Sequence, residues 1–190
     1  MILWHLGATL LLARYVFRDP GMDLRWVALG SLLPDLIDKP LASVLFNDTF
    51  DTHRIVSHAL ITPVVALFAV LALTKRGSTA RRAAIAVVIG AMFHLVLDAA
   101  WIDPEAFLWP FFGLGFPPVA DSAIIPLLSR MIRSPMVWLG EGLGAAYLVY
   151  LWRRYLSEPG QSRRVLAEGT IPLRPVPALR SGEEAGGEAT

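Results

Sequence analysis

Five apolar runs, at residues 2–17, 26–37, 59–74, 83–102 and 136–152, set the limits on what this chain can fold into. A helix that crosses a bilayer needs roughly 20 mostly apolar residues, with about 17 as the lower limit. The fourth run meets that length, and the first, third and fifth reach it with flanking polar residues. The second, which extends to Phe46 if polar positions are counted, is cut by Pro34, Asp35 and Asp38. It is expected to be a broken helix, tolerated at membrane depth only where protein or water covers it. The chain is 55% hydrophobic and 17% charged over 190 residues, against roughly 25% charged for an ordinary soluble domain. A soluble globule of this size lacks the charge to cover so much apolar surface. The expected fold is therefore all-α: an integral membrane bundle of about five transmembrane helices over residues 1–156. A disordered tail follows at 157–190, rich in Pro, Gly, Arg and Glu, with a short extended stretch at 171–177.

Several function classes drop out early. There is no cysteine, which excludes thiolate metal sites, disulfides and thiol nucleophiles. A net charge of +1 and the lack of a basic recognition helix point away from nucleic acid. No nucleotide-binding loop, serine-centred nucleophile motif or haem motif is present. The first run has no basic residue before it and no small-residue cleavage pattern after it, so it is expected to be a retained helix rather than a signal peptide.

The loops set an orientation. Arg14, Arg18 and Arg25 flank the first loop, Lys75, Arg76, Arg81 and Arg82 fill the third, and six arginines follow the last run. Thirteen of the seventeen basic residues thus fall on one side, and Lys39, Arg54, Arg130 and Arg133 on the other. The positive-inside rule makes the first side cytoplasmic, with the N-terminus outside and the C-terminus inside. The aromatic-rich segment 103–134, with Trp109, Phe111, Phe112 and Phe116, suits the outer interface, and 119–132 reads as a short helix lying in it.

Ionisable groups inside membrane helices cost about 2.5–3.5 kcal/mol each on insertion scales, so they need partners or a purpose. In this topology all four histidines and the key acids gather on the outer side. His5 begins the first helix, Asp35 and Asp38 end the second, His53 and His58 lead into the third, and His94 and Asp98 lie in the outward half of the fourth. Asp35 and Asp38 are three apart, and His94 and Asp98 four apart, so each pair shares a helix face. Orientation came from Lys and Arg alone, which makes this convergence a separate observation. Imidazole and carboxylate without thiolate suit zinc first, with manganese, iron or nickel as alternatives. Each piece also has a structural reading: Asp35–Asp38 as a helix stop, His94–Asp98 as a hydrogen-bonded packing pair, Arg54 as a snorkelling interfacial charge.

The ordered motifs resemble a known family. They are Gly30-Ser31-Leu32-Leu33-Pro34-Asp35-Leu36-Ile37-Asp38-Lys39-Pro40, then His53-Arg54, Ser57-His58, His94-Leu95-Val96-Leu97-Asp98 and Leu108-Trp109-Pro110-Phe111. Over roughly residues 1–150 the chain is similar to the predicted membrane-bound metal-dependent hydrolases, the LexA-binding, inner-membrane-associated hydrolase family. The resemblance implies that His5, Asp35, Asp38, His53, His58, His94 and Asp98 occupy the family's polar positions. It also implies a location in a prokaryotic inner membrane. Ile55 and Ser57 stand where many members carry Gly and Thr, and the two aspartates are spaced three rather than two apart.

The expected function is a divalent-metal-dependent hydrolase acting on an ester or phosphoester, such as that of a membrane lipid, near the outer headgroup layer. In that reading Asp35 or Asp38 is a general base, and Arg54 binds a phosphate or developing negative charge. Two alternatives stay open: an ion, proton or small-solute transporter using the same cluster, and a non-catalytic scaffold stapled by its metal. A transporter needs a continuous polar path, and the inward half of the helices offers almost none; Glu141 is a stray carboxylate on the outer side.

Overall fold

The computed structural model describes residues 1–19, 21–42, 55–116, 129, 132–157 and 161–170. The regular elements among them are all helical. Helix α1 (Ile2–Leu12) widens into a π turn at Ala13–Phe17, and α2 spans Leu24–Pro40. A 3-10 turn at Val56–His58 leads into α3 (Ile61–Leu73), which is followed by α4 (Thr79–Leu97). After a 3-10 turn at Ala100–Ile102 come the single-turn α5 (Pro104–Phe107), then α6 (Pro135–Leu151) with a π turn at Trp152–Leu156, and α7 (Gln161–Glu168).

The helix starts follow local chemistry. The Asp23 side chain caps α2 by accepting from the Arg25 backbone N–H, and its pairing with the Arg25 side chain holds its carboxyl below the usual range. Ser78 caps α4 in the same way through Arg81 N–H, and Asp103 with Pro104 opens α5. At the far end of α4, Ala99 adopts a left-handed conformation (φ 48, ψ 44) and turns the chain sharply just after Asp98.

Two expectations need correction. The second apolar run is not broken: α2 runs without interruption through Pro34 and Asp35 to Pro40. A proline in a helix withholds one N–H and crowds the carbonyls a turn back. Here the carbonyl left without that donor is Gly30's, at the close crossing with α4, and the next carbonyl, of Ser31, accepts from the His94 ring of α4 at 2.7 Å. The start of the expected disordered tail is also ordered. Helix α7 docks on the start of α2, where Leu24 N–H donates to Gly169 at 2.7 Å and Arg25 donates to the Ala167 carbonyl at 2.9 Å. Positions 43–54, most of 119–132 and all of 171–177 lie outside the described residues.

The helices are packed through glycines. A Cβ on Gly30 would run into the backbone of Val87, and one on Gly90 into the backbone of Val27 and Gly30, so α2 and α4 cross almost in backbone contact. Gly7 and Gly144 meet the same way where α1 crosses α6. Small residues at such crossings are how helices associate in lipid, where no hydrophobic drive between them exists. An apolar cluster of Ala13, Leu24, Val27, Ala86, Leu151 and Tyr155 sits at the arginine-rich end. Elsewhere the polarity is inverted relative to a soluble globule. His5, His58, His94, Asp38, Ser31 and Thr9 are buried, while Leu73 is 84% exposed and Phe68 66%. Among the described residues one helix, Thr79–Leu97, is long and apolar enough by itself to cross a membrane; Ile2–Phe17 and Ile61–Leu73 are apolar but shorter.

Candidate metal centre

The close α2–α4 crossing brings the site together. His94 lies one turn beyond Gly90, and the absence of a side chain there lets its ring reach across to the Ser31 carbonyl at 2.7 Å. Asp35 and Asp38 follow Ser31 on the same helix. Asp38, fully buried, then gathers the segment that enters α3. Its Oδ2 accepts from Ile55 N–H at 2.9 Å, from His58 N–H at 3.1 Å and from His58 Nδ1–H at 2.7 Å. Its Oδ1 accepts from Ser57 N–H at 3.0 Å. One carboxylate thereby fixes the position of residues 55–58 and the tautomer of the His58 ring.

Both ring Nδ1 atoms are thus committed as donors to groups that only accept. The neutral rings then keep their Nε2 lone pairs, and these face each other at 3.3 Å. Two lone pairs at that distance repel unless a cation or proton lies between them. Two carboxylate oxygens complete the cluster. Asp35 Oδ1 lies 3.5 Å from His58 Nε2 and 3.8 Å from His94 Nε2. Asp98 Oδ2 lies 3.9 Å and 3.8 Å from the same two atoms. Ligands about 2.0–2.1 Å from a tetrahedral ion stand about 3.3–3.4 Å apart. The separations match or slightly exceed that spacing, and the ligand atoms of Asp35, His58 and His94 all lie within 4.8 Å of one another, close enough to hold one small divalent cation.

Charge favours a cation as well. Among the described residues, Asp35, Asp38 and Asp98 are set against the ammonium of Lys39, which pairs with Asp35 Oδ2 at 2.5 Å. Burial opposes a charge on His58, but hydrogen bonds donated by its ring to the Asp35 and Asp38 carboxylates outweigh it and raise its pKa above the ordinary imidazole value. The three imidazoles His5, His58 and His94 are sealed, with side chains 2%, 2% and 0% exposed. Asp35 and Asp98 keep 21% and 14% exposure. The site therefore opens along its carboxylate edge.

The structure brings together His5, Asp35, Asp38, His58, His94 and Asp98. Asp38, expected as a ligand or general base, has both oxygens occupied by N–H donors, and its place is to orient His58. His5 stands beside the four-atom cluster: its Nε2 is 3.0 Å from Asp98 Oδ1, and its ring stacks on His94 at 4.3 Å. His53 and Arg54 lie outside the described residues. Sequence reasoning missed the pairing of Lys39 with Asp35, although their spacing of four on one helix signals it. It also missed the Ser31 carbonyl as the partner of His94, which no local signal in the sequence marks.

A family model described as YdjM inner membrane protein matches residues 2–159. This is the inner-membrane family that the ordered motifs resemble. No curated protein matches the chain, and no solved structure does.

Proposed function

The chain belongs to the YdjM inner membrane protein family, and from that premise we propose that it is a metal-dependent hydrolase of an ester or phosphoester. The observation that carries this reading is the pair of histidine Nε2 atoms facing each other at 3.3 Å, flanked by Asp35 and Asp98. A divalent ion held there supplies Lewis acidity and a bound water acidified toward neutral pH. Zinc suits the two imidazoles and two carboxylates best, with manganese, iron or nickel next.

The chain's own groups divide the remaining work. Asp38 and the Ser31 carbonyl hold the two rings in place from behind. Lys39 holds one oxygen of Asp35, turning the other to the rings, and its ammonium at the exposed edge attracts an anionic group such as a phosphodiester. The partial exposure of Asp35 and Asp98 leaves an approach for water and substrate, as a catalytic site needs and a closed structural site does not.

A lipid-like substrate is supported by the surroundings. An apolar cavity of about 90 Å³ lies among α2, α3 and α4, lined in part by Pro34, Ser57, Thr62 and Ala91. Its wall includes the residues just before Asp35 and His58. Past Asp98, the turn bearing Trp101 and Ile102 and the tip bearing Phe111, Phe112 and Leu114 expose their side chains, as an interfacial anchor does. The finer topology also belongs to this proposal: five membrane-embedded helices, N-terminus outside, C-terminus cytoplasmic, site at the outer face.

The test is metal analysis of the full chain in detergent after loading, followed by incubation with a lipid phosphodiester and a lipid carboxyl ester. At least one ion per chain is expected, lost in a His58→Ala, His94→Ala double variant, together with turnover of one substrate class. Metal content below one per chain, or unchanged in the double variant, sinks the reading. Binding that stabilises the protein without turnover of either ester leaves a scaffold instead.

A further inference from the structure

We infer that the site takes two divalent ions bridged by Asp98, the second held between Asp98 Oδ1 and His5 Nε2. This rests on the metal reading above and extends it to a position that Asp35 and His58 do not supply.

The His5 ring is tethered from the start of α1. Its Nδ1–H donates to the Met1 carbonyl, so the neutral ring offers only a lone pair at Nε2. That lone pair meets Asp98 Oδ1 at 3.0 Å, with the imidazole 2% exposed. Two acceptors so close, one of them on a sealed ring, need a positive centre between them. The same carboxylate turns its other oxygen toward His58 and His94. Asp98 thus presents one oxygen to each of two groups of nitrogen ligands, the arrangement of a carboxylate that bridges a pair of ions. His5, His94 and Asp98 also offer ligand atoms that all lie within 4.8 Å of one another, as do Asp35, His58 and His94. Paired ions in two-metal hydrolytic sites stand about 3.5–4 Å apart and clamp both the attacking and the leaving oxygen of a phosphoester. Among the described residues the second position draws on Asp98, on the exposed edge, and His5 behind it, and the partial exposure of Asp98 gives water or substrate oxygens an approach to it. That favours a phosphoester, whose non-bridging oxygens can span two ions, over a carboxyl ester.

The test uses the full chain in detergent, stripped of metal and reloaded with zinc, with ion content measured by mass spectrometry. Two equivalents are expected in the wild type and one in His5→Ala. X-ray absorption of the wild-type zinc form, which needs no variant to fold, should show a zinc–zinc distance of about 3.5–4 Å. One equivalent in both proteins, with no zinc–zinc distance, overturns the second position and leaves the first; a proton then joins His5 to Asp98. No zinc in the wild type overturns both.

Discussion

Replacing Asp38 by asparagine keeps the side chain's shape but removes an acceptor that three N–H groups share at Oδ2. The amide cannot hold the His58 ring by Nδ1–H in the same way. Asp38→Asn should therefore weaken zinc binding about 10–100-fold, read by competition with a chromophoric chelator. The raised pKa of His58 adds a pH dependence. Without metal, the protonated ring contributes stability that is fully present below the unfolded imidazole value of about 6.5 and is lost as pH rises through its higher folded value. A metal ion must displace that proton. Metal affinity should accordingly rise with pH, by up to about tenfold per unit for the one proton released, until the folded pKa of His58 is passed. Chelator competition across a pH series reads this, and an affinity independent of pH through the neutral range would contradict it.

At the scale of elements, the α2–α4 crossing decides whether Ser31 and His94 meet. A methyl group on Gly90 collides with the Val27 and Gly30 backbone, which cannot swing aside as a side chain can. Gly90→Ala should destabilise the protein by about 1–3 kcal/mol and lower metal affinity by displacing His94. Gly142, in the interior of α6 with nothing within 4 Å of the added carbon, provides the contrast. Gly142→Ala should be neutral or stabilising by up to about 1 kcal/mol. Thermal unfolding in detergent compares the two. The turn after α4 supplies another test. Ala99 sits in the left-handed region, where a Cβ costs roughly 1–2 kcal/mol. Ala99→Gly should relieve part of that and raise the unfolding temperature without altering the Asp98 ligand position.

For the whole molecule, the lack of cysteine makes orientation directly testable. Single cysteines at Leu114, exposed on the aromatic tip past Asp98, and at Arg76, between α3 and α4, should label from opposite sides of the intact cell. A membrane-impermeant maleimide should reach Leu114→Cys directly and Arg76→Cys only after permeabilisation. The reverse pattern would overturn the outward-facing site while leaving the cluster's chemistry intact.

Helix content, the apolar character of the outer surface and the residue types of the cluster were legible in the sequence. They depend on local pattern: run length, the cost of intramembrane charge, and spacings of three and four that put side chains on one helix face. The tertiary structure decided what each polar group does. Asp35 and Asp38 look alike on α2, but only the path of residues 55–58 back over that helix surrounds one with N–H donors and leaves the other facing the rings. Pro34 reads as a break because it withholds the N–H that would reach the Gly30 carbonyl, and the packing of α4 against this part of α2, which lets the helix run on, is invisible in the local sequence. The division of Asp98 between His5 and the His58–His94 pair depends on α1, the segment before α3 and α4 meeting at one point. Contacts of that kind depend on helix-crossing geometry, and backbone approach at Gly30 and Gly90 is a property of the pair that neither segment displays alone.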